Sequence, residues 1–318
     1  MRLKPSHVPF LPPTRMTLVT SELQQLQPPR WVPPTFGGRL RSLGPALIVI
    51  TACLYVGTVI LLPALAVIFQ AFQKGLAPFV ESLQDADLLA ALRLTLVDAV
   101  IVVPANCIFG LAAATAIARR QFRGKALLLT IIDLPFSISP VVVGLMIVLL
   151  YSPNNGLFAG IINHFGIKIL FSTPAIVLAT IIVTLPFMAR EVIPLLEEEG
   201  WDQEEAAKTL GAKNWQVFWK VTLPSIRWAA LYGAILTTAR ALGEFGAVSV
   251  VSGNIRGKTQ TLPLFVEDAY KQYNTELAYG AAVLLMGVAV VSLVLKILLE
   301  QILEQDKAAR AGAVLAKE

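Results

Sequence analysis

Apolar residues along this chain fall in long runs rather than in short alternating patterns. Six runs stand out, over about residues 45–69, 94–118, 126–151, 174–190, 228–252 and 277–299. At about 1.5 Å of rise per helical residue, runs of this length cross a hydrocarbon core of roughly 30 Å, the fourth by continuing as helix beyond its apolar part. The pattern predicts an all-α, polytopic membrane protein with a six-helix domain over residues 45–304. Pro63, Pro104, Pro135, Pro140 and Pro186 lie inside the runs. A bilayer tolerates proline where neighbouring helices cover the freed backbone, so a packed bundle is expected rather than separate anchors.

The flanks differ from the runs. Residues 1–44 hold eight of the twenty prolines, including the pairs Pro12-Pro13, Pro28-Pro29 and Pro33-Pro34. Proline continues neither helices nor central strands, so a disordered arm is expected there. It has no secretory apolar core, and its scattered Arg and Ser with the single acid Glu22 weakly resemble a transit peptide; Met16 is an equally good start. Residues 305–318 read as a short tail.

Composition supports the membrane reading. Charged residues are 15 % of the chain, well below the ~25 % of soluble domains, and 56 % is hydrophobic. The net charge of +5 would raise nucleic acid as a partner in a soluble protein. Here the charges sit in the connections. With the N-terminus inside, eighteen Lys and Arg fall in inner segments and five (Lys74, Lys168, Arg256, Lys258, Lys271) in outer ones. That bias places both termini in the cytoplasm and leaves no reason to invoke nucleic acid. Cys53 and Cys107 lie in apolar runs and form no disulfide framework, and His7 and His164 are isolated, so neither a metal centre nor a cofactor site is expected in this chain.

The connection over residues 191–227, between the fourth and fifth runs, is the most informative. Asp202 followed by Glu205 has capping-box spacing and predicts a helix start; Ala206 and Ala207 continue it, and Gly211 suits the left-handed residue that ends it. A second short helix over about 214–220 puts Trp215, Phe218 and Trp219 on one stripe, and Pro224 is expected to stop it. The pair reads either as helices lying on the membrane or as a rigid knob for a partner's groove.

These residues carry a resemblance. Glu205-Ala206-Ala207, then Gly211, then Val221-Thr222-Leu223-Pro224 is similar to the EAA loop of binding-protein-dependent ABC importer permeases, with Val221 where isoleucine is commoner. The resemblance implies a coupling helix seated in an ATP-binding subunit, with Glu205, Ala206, Ala207, Gly211, Leu223 and Pro224 carrying the coupling. A second stretch, Ala239–Val248 (ARALGEFGAV) continuing through Ser249–Gly257 and Thr261–Glu267, resembles the sulfate/molybdate branch, and within it the W-type permeases of sulfate/thiosulfate importers. That likeness implies a second, homologous T-type permease, two copies of the ATPase holding ATP and Mg²⁺, a periplasmic sulfate/thiosulfate-binding protein, and a bacterial inner membrane rather than a plastid envelope.

Read without the family, the residues offer little else. Gly124-Lys125 lacks the earlier glycine of a phosphate-binding loop and is followed by Ala126, so any ATPase belongs to another polypeptide and this chain alone is not an enzyme. Ionisable residues inside the runs are Asp98, Asp133, Arg240 and Glu244. Each costs roughly 2.5–3.5 kcal/mol at the bilayer centre and so belongs in a bundle interior or a water path. Arg240 and Glu244, four apart, are spaced to pair, either to fix packing or as part of a gate. Asp133 precedes Leu134-Pro135 and reads as a cap of a broken helix. A path for a dianion calls for neutral donors; Ser137 and Ser139, which flank the Pro135–Pro140 interruption, and Ser249 and Ser252 are the candidates. Competing readings are a molybdate/tungstate permease, a stand-alone secondary transporter, which would have no use for the 191–227 loop, and a signalling anchor, which would not need buried charges.

Overall fold

The computed structural model describes residues 36–315, and every regular element among them is helical. In chain order these are α1 (Phe36–Phe72), α2 (Leu76–Ser82), α3 (Ala86–Arg119), α4 (Lys125–Ser137), α5 (Pro140–Tyr151), α6 (Ala159–Phe165), α7 (Thr173–Glu199), α8 (Asp202–Thr209), α9 (Asn214–Val217), a π turn (Phe218–Thr222), α10 (Leu223–Leu242), α11 (Gly246–Val251), α12 (Leu262–Lys271) and α13 (Thr275–Leu315). The chain divides into two units, one ending at Pro63 and one starting at Ala64.

In the first unit the described residues are the N-terminal part of α1. Residues 1–35 of the expected arm lie outside the described residues. Residues 36–44, also expected in that arm, are helical; they contain no proline, so nothing bars the helix from starting ahead of the apolar run. At the far end of the second unit α13 runs on to Leu315, so most of the expected tail is helix as well, and 316–318 lie outside the described residues.

Among the described residues four helices are long and apolar enough to cross a membrane: Leu47–Phe72, Ala86–Arg119, Thr173–Glu199 and Thr275–Ile302. The second begins at Ala86, ahead of its apolar run, because the Asp85 carboxylate accepts from the Asp87 and Leu88 N–H groups at 2.9 Å. The third expected span is two helices, α4 and α5, bent by 113°. Pro140 opens α5 and holds Ser139 extended at φ −59°, ψ 136°. The fifth expected span, read as one run over 228–252, is also broken: α10 ends at Leu242 and α11 starts at Gly246. Glycine at 243 is a poor helix residue, and the Glu244 carboxylate takes the Ala247 N–H at 2.9 Å, so the chain restarts a helix instead of continuing one.

Packing within the second unit relies on small residues. In lipid no hydrophobic force drives helices together, so close approach must supply the contact energy. Met188 of α7 sits between α3 and α10: a Cβ on Gly110 would lie 2.6 Å from its Cβ, and one on Gly233 would lie 3.0 Å from its Sδ. Ala114, Ala118, Val192, Leu196 and Ile226 extend this core. Elsewhere Gly144 of α5 lies under the Ala247 carbonyl and the Val250 side chain, and Gly246 against Pro140, which ties α5 to α11. Asn106, fully buried, donates to Thr184 Oγ1 at 2.6 Å and so links α3 to α7 in the apolar interior.

Candidate functional site

The connection between α7 and α10 folds into a helical knob. Gly200, at φ 69°, turns the chain out of α7, and Asp202, Glu204 and Glu205 fill the first turn of α8, where carboxylates suit the helix dipole. The expected capping box is absent: the chain position ahead of the helix is Trp201, whose carbonyl accepts from the Glu205 N–H at 2.9 Å, and no side chain caps the start. The end of α8 is as the sequence indicates. Gly211 has φ 88° and donates to Lys208 O at 2.9 Å, and Ala212 donates to Ala207 O at 3.1 Å, which is the Schellman pattern.

The second helix departs from expectation. After Val217 the chain widens into the π turn, with Leu223 N–H bonded to Phe218 O, and runs straight into α10. Pro224 therefore lies in the first turn of α10 and stops nothing. Because it has no N–H, the tighter α register would leave a carbonyl four residues back without a partner, and the π turn absorbs that mismatch. Trp215 and Trp219 are each 61 % exposed and Leu210 is 89 % exposed, while Val217 is buried. Glu205 and Ala206 are exposed on the same knob, and Glu205 makes no side-chain bond among the described residues.

What anchors the knob is Glu204, a residue the sequence does not single out. It is buried, accepts from Arg119 Nε at 3.0 Å and accepts from Thr222 Oγ1 at 2.9 Å. Arg119 also donates to Leu196 O at 2.6 Å and lies over the Trp201 ring, 5.8 Å from its centroid. One guanidinium thus gathers the ends of α3 and α7 and the start of α8, and Glu204 adds the π turn.

A second cluster lies where the two helix breaks meet. The Gly246–Pro140 contact puts the Gly243–Phe245 break beside the Ser137–Ser139 break. Arg240 Nη1 stands 2.6 Å from Glu244 Oε2, the pairing expected from their spacing. Glu244 is buried and Arg240 half-buried. Ser137 and Ser139 are exposed at the bend. Asp98 of α3 is buried as well. The other path candidates are not gathered here. Ser249 donates to Gly246 O at 2.8 Å, spending its hydroxyl on its own helix, and Ser252, fully buried past the end of α11, accepts from Asn254 N–H at 3.1 Å. Asp133 caps nothing: its carboxylate is 2.8 Å from Arg190 Nε, and Arg190 lies over Phe136 at 4.4 Å.

Beyond α11, residues 252–261 form a self-bonded loop. Thr259 Oγ1 accepts from Ile255 N–H at 3.1 Å, and Asp268 of α12 accepts from Arg256 at 2.9 Å and Gln260 at 3.2 Å. Partial burial pushes the Asp268 carboxyl up, but the donors Arg256, Gln272 and Gln260 outweigh it and hold it below the usual carboxylate range. Among the described residues no group of three His, Cys, Asp or Glu side chains is placed to hold a metal ion.

The family model for binding-protein-dependent transport system inner membrane components matches residues 106–306. The chain belongs to this family. Its members are permease components, and α3 through α13 lie largely within the matched stretch. The sulfate transport system permease protein CysW of Synechococcus elongatus is 63 % identical over 260 residues, 82 % of this chain and 91 % of that one. Sulfate permease 2, chloroplastic, of Chlamydomonas reinhardtii is 56 % identical over 250 residues, 79 % of this chain and 68 % of that one. The sulfate transport system permease protein CysT of Escherichia coli is 35 % identical over 243 residues, 76 % of this chain and 87 % of that one. The fold is shared with a bacterial ABC transporter importing the acidic polysaccharide alginate, with a TM-score of 0.70 at 17 % identity, over 85 % of this chain and 98 % of that one.

Proposed function

We propose that this chain is a transmembrane permease subunit of an ATP-driven ABC importer that carries sulfate or thiosulfate inward, in a bacterial inner membrane. The observation that carries the reading is the 63 % identity, over nearly the whole of a sulfate permease of the W type. Likeness to a T-type permease supports a pathway shared with a second, homologous chain. The related alginate importer crystallised in complex with a periplasmic protein supports delivery of substrate by a binding protein. ATP and Mg²⁺ belong to partner ATPase subunits, two in the complete assembly, and this chain is not an enzyme by itself.

In this reading there are six membrane crossings: α1, α3, the bent α4–α5 pair, α7, the broken α10–α11 pair and α13. Both termini and the knob are cytoplasmic, as the positive-inside bias requires. Glu205, Ala206, Leu210, Trp215 and Trp219 present the docking face to the ATPase. Gly211 sets the angle between the two short helices. Closure of the ATPase pair moves the knob as one body, because Glu204 and Thr222 tie it together and Arg119 ties it to α3 and α7. The π turn passes the movement through Leu223 and Pro224 into α10, whose far end carries Arg240 and Glu244 at the paired breaks. Ser137 and Ser139 offer neutral donors there, which suits a dianion. Ser249 and Ser252 hold the wall in shape.

The test is uptake of labelled sulfate by proteoliposomes. Vesicles holding this chain, the second permease and the ATPase, with binding protein inside the assay, should import sulfate only with ATP. Uptake by this chain alone would replace the reading with a secondary transporter.

A further inference from the structure

A groove of about 840 Å³ runs between the C-terminal half of α3 and the knob. Its α3 wall is apolar, with Ile108, Leu111 and Ala112 on one helix face, and Phe218 and Leu223 close it from the other side. From Cys107 to Arg119 the wall rises about 18 Å, close to the ~15 Å that one leaflet contributes to the hydrocarbon core. The polar end is cationic. Arg119, Arg120 and Lys208 line it, and the one acid there, Glu204, is already held by Arg119 and Thr222. Arg120 and Lys208 are exposed and have no ion-pair partner among the described residues.

We infer that this groove binds one anionic phospholipid of the inner leaflet, its acyl chain along α3 and its headgroup phosphate between Arg120 and Lys208. Two unpaired cations above an apolar slot one leaflet deep match a diacyl phosphate ester in both charge and length. They discriminate against a choline headgroup, whose ammonium would face them. Basic pockets beside membrane helices on the cytoplasmic side take anionic headgroups for the same reason. The lipid fills the space behind the knob and braces it from the membrane side. The inference rests on the cytoplasmic placement of the knob and not on which anion is carried.

The test is native mass spectrometry of the detergent-solubilised assembly, with its second permease and ATPase, titrated with phosphatidylglycerol or phosphatidylcholine. Wild type should retain phosphatidylglycerol in preference to phosphatidylcholine. Arg120→Gln with Lys208→Gln should weaken phosphatidylglycerol retention about thirty-fold, roughly five-fold per cation lost. Ala112→Trp fills the slot without touching a cation and should abolish retention in a complex that still assembles. Equal retention of the two lipids, or retention unchanged in both variants, overturns the inference. So does efficient cross-linking of a cysteine at Ile108 to the second permease or the ATPase, since the slot would then hold protein. Sulfate uptake by the wild-type assembly is read separately, so loss of this inference leaves the transport reading standing.

Discussion

Arg119 Nε lies 3.0 Å from Glu204 Oε1, across 85 positions of sequence, and joins the end of a membrane helix to the first turn of the knob. Both side chains are 11 % exposed, so neither charge is well solvated without the other. Removing one partner strands the other, which costs more than the pair itself contributes. Arg119→Ala and Glu204→Ala should each lower the melting temperature of the solubilised assembly. The double variant should lose less than the two singles together, with a coupling on the order of 2 kcal/mol. Additive losses would mean that the pair is incidental.

Glu205 is the neighbouring acid with the opposite environment. It is exposed and its side chain makes no bond among the described residues. Glu205→Gln should therefore leave the thermal stability of the permease pair unchanged while weakening its co-purification with the ATPase. A fall in stability of the permease without the ATPase would assign Glu205 a structural role instead.

At the paired breaks, Glu244 has two tasks: it faces Arg240 and it accepts the Ala247 N–H. Glutamine keeps the second task and loses the ion pair; arginine cannot perform the second, because it has no acceptor. Glu244→Gln should retain membrane abundance near wild type with altered transport. The exchanged pair Arg240→Glu with Glu244→Arg should fail to assemble despite its conserved charge. Assembly of the exchanged pair, measured by co-purification, would show that charge pairing alone fixes the break.

Asp268 is held below the usual carboxylate range, with its donors overcoming partial burial. A depressed carboxylate stabilises the fold above its ordinary unfolded value, and that contribution is lost as pH falls through its lower folded value. Hydrogen exchange over residues 252–261 should rise at acid pH in wild type. Asp268→Asn should exchange faster at neutral pH and lose most of the acid dependence. An unchanged exchange profile in the variant would remove Asp268 from the loop's support.

The parts of the fold legible from sequence are those set by local chemistry. Gly211 needs only its own backbone to adopt φ 88°, and the Pro140 break needs only the restriction proline places on Ser139. The apolar runs announce helices by themselves. The Gly243–Phe245 break is different: it depends on a carboxylate turning back to the Ala247 N–H inside a run that reads as unbroken. Glu204 stayed hidden for a related reason. Nothing nearby marks it as buried, and its partner Arg119 reads as one of several inner-side cations until α3, α7 and α8 are brought together. Asp133 shows the same limit, since its partner Arg190 lies on another helix.

The most direct test of coupling through this loop is the ratio of sulfate imported to ATP hydrolysed in proteoliposomes carrying Gly211→Val, at matched amounts of assembled transporter. Nothing crowds the Gly211 Cα, so a Cβ meets no neighbour there; the strain comes from φ 88° alone, about 1–2 kcal/mol for a side chain. Relief of that strain turns the second short helix away from the first and displaces Trp215 and Trp219. Transmission through a fixed turn predicts that hydrolysis persists while sulfate import per ATP falls several-fold, with Gly211→Asn, which tolerates this conformation, close to wild type. An unchanged ratio in Gly211→Val would contradict it.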